Sequence, residues 1–394
     1  MSCNGWYKLE ELLKIKYGKN QKKVQDNENG IYPIYGTGGL MGYSKEYLYN
    51  KPSILIGRKG SISRVKYVEH PFWTVDTLFY TEINENLVIP KYLYYKMSMI
   101  DFNFYNEGTT IPSLRTDTLN KIEFQIHSLE EQEKIVNILS SLDDKIELNN
   151  EMNKTLEEMA QSIFKRWFVD FEFPNEDGQP YKSSGGEMVE SELGMIPKGW
   201  EVKTIGELCE VGSSKRIFMK EYIDKGVPFF RSKEIIERSK GNSISTELFI
   251  TQERFNEIKG KFGVPVKNDI LLTSVGTLGV PYLVDDEEFY FKDGNLTWFK
   301  NFKKEVFRYY IYQWLLSSEG KKSIDEVTIG STQKALTINS LKSMRLVIPN
   351  TDILDRYSKF IILNIESIRA NNKQKFILID LRDSLLPKLM NGKL

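Results

Sequence analysis

The sequence predicts an α+β protein built twice over: a mixed globular domain closed by a long helix, then a second such domain and helix. Three observations carry this. "GTTIPSLRTDTLNKIEFQIHSLEEQEKIVNILSSLDDKIELNN" (108–150) lies without a gap on "GSTQKALTINSLKSMRLVIPNTDILDRYSKFIILNIESIRANN" (330–372), at a constant offset of 222. Residues 128–170 show helical periodicity with no Gly or Pro. After a Pro-, Gly-, Ser- and acid-rich stretch, "GWEVKTIGELCEV" restarts the pattern that opens the chain, "GWYKLEELLKI".

A chain of 394 residues is long for one core, so two domains are expected. The boundaries read as a first domain at 1–127, a first helix at 128–170, an exposed linker at 171–199, a second domain at 200–349 and a second helix at 350–394. Within the domains, "SILIGRKGSIS" parallels "DILLTSVGTLG", each a short buried strand running into a Gly-containing turn. "FWTVDTLFY" and "FYFKDGNLTWF" follow, then the helical, tyrosine-rich "PKYLYYKM" and "VFRYYIYQWLL". Tyr94, Tyr95, Tyr309, Tyr310 and Tyr312 are read as core rather than as platforms for stacked bases.

In the first helix Leu139, Leu142, Ile146, Asn149, Asn153, Leu156, Ala160, Ile163 and Trp167 recur at alternating steps of three and four, a coiled-coil seam. The second keeps Ile361, Ile368, Leu378, Leu385 and Leu389 at the offset positions, and Asn149 matches Asn371. A polar residue in such a seam fixes register, and the competing reading leaves these asparagines facing water. Residues 128–170 carry a net charge of −5 and 350–394 carry +3. Two long amphipathic helices of opposite sign are expected to pair with each other.

Composition narrows the function classes. No stretch approaches the roughly 18 apolar residues of a membrane span, and the start shows no export signal. Two cysteines cannot make a disulfide framework or zinc site, so a cytoplasmic location is expected. Two histidines, His70 and His127, make His-metal sites and Ser-His-Asp hydrolysis improbable; both are read as surface or turn residues. There is no GxxxxGK[ST], no NPPY or DPPY methyltransferase signature and no convincing nuclease carboxylate–lysine set. The formal charge is zero, so any nucleic-acid role must rest on local patches.

The segments "SLEEQEKIVNILSSLDDKIELNNEMNKTLEEMAQSIFKRWFVDF", "ELGMIPKGWEV" and "SLLPKLMNGKL", together with the repeat, resemble the specificity subunit of type I restriction–modification systems over essentially the whole chain. The resemblance implies two target recognition domains and two conserved spacer helices that pair as an antiparallel coiled coil, with a pseudo-two-fold repeat. It implies a non-catalytic subunit that recognises an asymmetric, bipartite site in double-stranded DNA. Two modification subunits, the adenine methyltransferases, dock on this frame, and two restriction subunits can join them. No cofactor is expected on this chain; S-adenosylmethionine, and ATP and Mg2+ for restriction, belong to the other subunits. The second helix departs from the pattern by lacking "EEQ", which weakens the inference of contact with a second modification subunit.

Under that resemblance the DNA-reading residues are sought in polar loops near base edges and phosphates. In the first domain they are Thr37, Tyr43, Arg58, Lys59, Ser61, Thr109, Thr110 and Arg115. In the second they are Ser214, Lys215, Arg216, Arg231, Lys233, Ser274, Asn295, Gln333 and Lys334, with Gln333 suited to adenine and Arg231 to guanine. No metal site is expected. The alternatives are a coiled-coil scaffold that binds proteins and a type II-like fusion of specificity and catalysis.

Overall fold

The computed structural model describes residues 3–330 and 334–392. It divides into two compact units, residues 1–147 with 377–394, and residues 148–376. The four long-helix segments are shared between them, so each unit holds a part of both helices.

Unit 1 runs β1 (Cys3–Lys8), α1 (Leu9–Leu12), β2 (Leu13–Tyr17), β3 (Tyr32–Gly36), β4 (Gly39–Ser44), β5 (Ser53–Gly57), β6 (Val65–Val68), β7 (Trp73–Thr74) and β8 (Leu78–Ile83). Then come α2 (Pro90–Ser98), α3 (Thr116–Leu119), β9 (Glu123–His127) and the start of α4 (Leu129–Phe164). The strands form three sheets, ordered β1-β9, β2-β8-β5-β6 and β4-β3-β7. The apolar run of β5 is buried on both faces, and Pro90 opens α2 where its missing N–H leaves nothing unpaired. Ser128 and Glu131 form a capping box that starts α4, the Ser128 amide donating to Glu131 Oε2 at 3.3 Å. The core gathers Ile54, Ile56, Phe79, Tyr92, Phe124, Ile135 and Leu139 with Leu389 and Met390.

Unit 2 begins in α4 and continues through a π-helical turn at Lys165–Val169, β10 (Met188–Ser191), β11 (Gly194–Pro197), β12 (Glu201–Thr204), α5 (Ile205–Leu208), β13 (Glu210–Gly212) and β14 (Val227–Phe230). It goes on with α6 (Ser232–Ser239), β15 (Phe249–Ile250), α7 (Gln252–Phe262), β16 (Ile270–Thr273), β17 (Pro281–Leu283), β18 (Tyr290–Phe291) and β19 (Leu296–Lys300). Last are α8 (Glu305–Leu316), α9 (Ser318–Val327), α10 (Ile338–Ser343), β20 (Arg345–Ile348) and α11 (Thr351–Met390). Its sheets β12-β20, β13-β19-β16-β17 and β15-β14-β18 repeat the order and sense of unit 1, including one parallel pair, β14 with β18, that answers β3 with β7. β10 and β11 form an added hairpin.

The helices pair antiparallel within each unit. In unit 2, Leu156 O accepts from Asn364 Nδ2 at 3.3 Å, Asn153 Nδ2 donates to Asn372 Oδ1 at 2.9 Å, and Asn149 Nδ2 donates to Gln374 Oε1 at 3.0 Å, so α11 descends as α4 climbs. In unit 1, Asp143 Oδ1 accepts from Arg382 Nη1 at 2.9 Å. Asn149 is 0% exposed and Asn153 8%, which decides against the water-facing reading of these residues.

One reading is corrected here. His127 is buried: Tyr92, itself fully buried, joins its hydroxyl to His127 Nδ1 at 2.6 Å at the end of β9. Most of the segment 171–199 is exposed, and it is held by contacts of its own within unit 2. Phe173 stacks on Trp200 at 4.9 Å and on Tyr181 at 4.5 Å, and Ile196 is buried, so its Pro and Gly residues make turns. Among the tyrosines, Tyr95, Tyr309 and Tyr310 are buried, and Tyr94 and Tyr312 half-buried.

Candidate nucleic-acid interface

Unit 1 brings its three candidate loops together. β5 runs straight into Arg58 and Lys59, whose amides both donate to Thr77 O, at 2.8 and 3.2 Å. The Gly60 amide donates to Pro112 O at 2.9 Å, Lys59 bridges Ser113, and the Leu114 amide donates to Arg58 O at 2.9 Å. Thus the loop after β5 is stitched on one side to the turn before β8 and on the other to the 106–115 loop. Gly57 permits the close turn, since a Cβ there would meet Ser61 O at 2.2 Å. Gly60, at φ +90°, sits where a Cβ would lie 3.8 Å from Thr37 Oγ1, which places the β3–β4 turn on the same rim.

Thr37, Gln21, Met41, Asp76 and Thr77 line a concavity of about 430 Å³ on this rim. Arg58 Nη1 donates to Asp76 O at 2.8 Å, and its guanidinium lies 5.2 Å from the centre of the Tyr17 ring. Lys59, Ser61, Thr109 and Thr110 are exposed. Arg115 is exposed but pairs with Glu107 at 3.1 Å. Tyr43 lies on β4, 41% exposed, with its amide tied to Asn27 Oδ1, and does not line the concavity.

Unit 2 repeats the stitching with other side chains. The Ser274 amide donates to Asn295 O at 2.8 Å, Val275 bridges Ala335, and the Leu336 amide donates to Ser274 O at 3.0 Å. These are the bonds of Arg58 with Thr77, Lys59 with Ser113, and Leu114 with Arg58. The same backbone position therefore carries an arginine in one unit and a serine in the other.

Arg216, Phe218, Met219, Tyr222, Asp293 and Asn295 belong to a concavity of about 450 Å³. Arg216 Nε donates to Asp293 Oδ2 at 2.8 Å. The Lys215 amide donates to the Tyr290 hydroxyl at 2.6 Å, and its ammonium sits 4.4 Å from the Phe262 ring centre. Lys233 and Lys334 are exposed; Gln333 lies outside the described residues.

Three of the expected contacts are engaged within the protein. Ser274 is 2% exposed and its hydroxyl joins Thr297 Oγ1 at 2.7 Å, because the strand direction of β16 carries it into the core. Ser214 Oγ donates to Phe291 O at 2.7 Å. Arg231 spends its fork on Glu234, with Nη2 at 2.7 Å from Oε1 and Nε at 3.3 Å from Oε2. Burial alone would raise the Glu234 carboxyl, but the side chain and amide of Arg231 hold it below its ordinary value. Arg231 therefore caps α6 and steadies a buried carboxylate. Asp76, Asp293, Gln21 and the exposed Phe218 and Met219 escaped the sequence reading; the paired "TVDT" and "FKDGN" turns, each with one aspartate, were the available signal.

The family model for the type I restriction modification DNA specificity domain matches residues 4–158 and 197–375, one copy in each half. The chain belongs to this family. It is 31% identical over 359 residues to the type I restriction enzyme MjaIX specificity subunit of Methanocaldococcus jannaschii, covering 88% of this chain and 78% of that one. To the type I restriction enzyme HindI specificity subunit of Haemophilus influenzae it is 23% identical over 387 residues, covering 82% and 81%. The crystal structure of the type I restriction–modification S subunit from M. genitalium matches with a TM-score of 0.61 at 18% identity, over 98% of this chain and 95% of that one, which shows a shared fold. This type I specificity subunit recognises DNA sequence as a non-catalytic component of its complex, and the scaffold and fused-enzyme readings fall away. Among the described residues no helix is long and apolar enough to cross a membrane, and no group of three or more His, Cys, Asp or Glu could hold a metal ion.

Proposed function

We propose that this specificity subunit recognises an asymmetric, two-part site in double-stranded DNA, one part read by residues 1–127 and the other by 200–349. The spacer helices at 128–170 and 350–394 carry two adenine-methylating modification subunits, which use S-adenosylmethionine. Restriction subunits, using ATP and Mg2+, join that complex in the cytoplasm. In the first domain the readers are Thr37, Arg58, Lys59, Ser61, Thr109, Thr110 and Arg115. In the second they are Lys215, Arg216, Lys233, Asn295 and Lys334, with Gln333, its neighbour in the sequence.

The observation that supports this is the repeated stitching with unlike side chains. Arg58 and Ser274 occupy one backbone position in two frames, as do Lys59 and Val275. Two readers with the same loops would select two identical half-sites, whereas Arg58 and Lys59 offer donors where unit 2, with Ser274 turned inward and Val275 apolar, offers none. The test is base-modification sequencing of cells expressing the chain with its modification subunit, against the modification subunit alone. A gapped, asymmetric motif methylated on both strands, present only with this chain, is expected. A symmetric motif, or none from a soluble complex, refutes the reading.

A further inference from the structure

The turns that follow the short parallel strands form part of each rim, and each holds one aspartate. In unit 1 the turn is fixed from several sides. The Val75 amide donates to Tyr35 O at 3.0 Å, the Leu78 amide to Val75 O at 3.0 Å, and Arg58 Nη1 to Asp76 O at 2.8 Å. Thr77 O takes the amides of Arg58 and Lys59. The backbone of Asp76 is thus held in place, while its side chain is exposed and borders the concavity shared with Thr37 and Gln21. Its carboxylate has no hydrogen bond or ion pair among the described residues.

Unit 2 shows what a structural aspartate at this turn looks like. Asp293 accepts from Arg216 Nε at 2.8 Å and is only 19% exposed. Its charge is met inside the protein. Asp76 has been given no such partner, although Arg58 is close enough to bind the same residue's carbonyl.

An open carboxylate on a surface that approaches phosphates weakens binding by repulsion, so its place there is costly unless it accepts a hydrogen bond from the duplex. A carboxylate can only accept. In the major groove the base donors are the amino groups of cytosine and adenine, and adenine sets its N7 acceptor beside the donor, against which a carboxylate is repelled. Resting on the function proposed above, we propose that Asp76 is a specificity-determining residue of unit 1, which accepts a hydrogen bond from N4 of a cytosine in the major groove. Unit 2 uses its aspartate differently: Arg216, oriented by Asp293, keeps donors free for the duplex.

The test compares the wild-type chain with Asp76→Ala, each with its modification subunit, by sequencing methylated motifs. Purified complexes are then titrated against duplexes that change one base pair at a time. The expected result is a motif degenerate at one C·G pair of one part, with the wild type's discrimination there, about tenfold or more, falling to near unity. The other part of the motif, unchanged, shows that the variant folds and assembles. If the variant methylates too weakly to sequence, the duplex titration alone decides. Unaltered discrimination at every pair, or a loss at an A·T pair, overturns the assignment to Asp76. Absence of any motif with the wild-type chain would instead overturn the function on which it rests.

Discussion

The polar layer in the helix pair of unit 2 makes a prediction whose size follows from its bonds. Asn153, 8% exposed, donates from Nδ2 to Asn372 Oδ1 and accepts at Oδ1 from Asn371 Nδ2, both at 2.9 Å. Asn153→Leu removes both bonds and leaves two half-buried amide groups on α11 short of a partner each. Two net bonds at about 1 kcal/mol each, with the stranded groups partly offset by burying Leu, give about 2 kcal/mol. That is about a 30-fold shift in a local opening equilibrium.

Because the chain has two units, one melting temperature would blend them, and amide hydrogen exchange is the better assay. Protection of the α4 amides from 150 to 164 is expected to fall about 30-fold, with unit 1 amides such as those of β5 unchanged. Asn153→Leu with Asn371→Leu should recover about half of the loss, since it removes one of the two stranded amides and leaves only Asn372 short of its partner. A fall of less than about twofold in the single variant would refute the argument, as would strictly additive effects in the double.

Further outcomes follow from the same structure. Phe168→Ala empties a site where the ring packs edge-on to Tyr310 and Tyr357 at 5.0 and 4.7 Å, and should destabilise unit 2 by about 3–5 kcal/mol, read by the same exchange experiment. Arg231→Ala leaves the buried Glu234 carboxylate without its charged partner and with only the residue's amide; unit 2 should lose stability while the methylated motif stays the same, and an altered motif would restore Arg231 as a reader. The pH sign is fixed by Glu234, whose folded value is depressed: the pair's contribution is present above its ordinary value and lost as pH falls through the folded one, a dependence Arg231→Ala should reduce, since the residue's amide still donates to Glu234. In a Cys3→Ser chain, Cys209, its thiol pushed up to about 12 chiefly by burial, should resist thiol reagents at pH 8 until the protein is unfolded.

How much of this was legible depended on whether a residue's role is set locally. The seam was readable because a three-four spacing has one physical solution, and Leu139, Asn149, Asn153 and Ala160 are all buried. The strand at Ser53–Gly57 was readable as an apolar run between turns. Residues whose role depends on a distant partner were not. Arg231 looks like a free cation until Glu234 folds back to it across one helical turn, and Ser274 looks like a loop tip until Thr297 takes its hydroxyl. His127 is a surface residue by composition and a core residue by its bond to Tyr92, 35 positions away. Gln132 shows the same limit within the missing "EEQ". It ties α4 to Leu87, Ile89 and His127 by three bonds, and its counterpart at the 222 offset is the buried Leu354, so unit 2 closes that joint with an apolar contact instead.

That substitution of means under a constant frame also explains how a reader can change its target and still fold. The bonds that set the rim run from backbone to backbone: Arg58 N to Thr77 O and Leu114 N to Arg58 O in one unit, Ser274 N to Asn295 O and Leu336 N to Ser274 O in the other. Any residue but proline can supply them. The side chains at these positions can differ, arginine or serine, lysine or valine, because the backbone bonds themselves do not depend on their identity. Where a rim side chain is drawn into the frame, as Ser274 and Arg231 are, it stops being available to the duplex. Reading and folding therefore compete for the same few residues, and Asp76, pinned by its carbonyl with its carboxylate left open, is a residue on which that competition was settled in favour of reading.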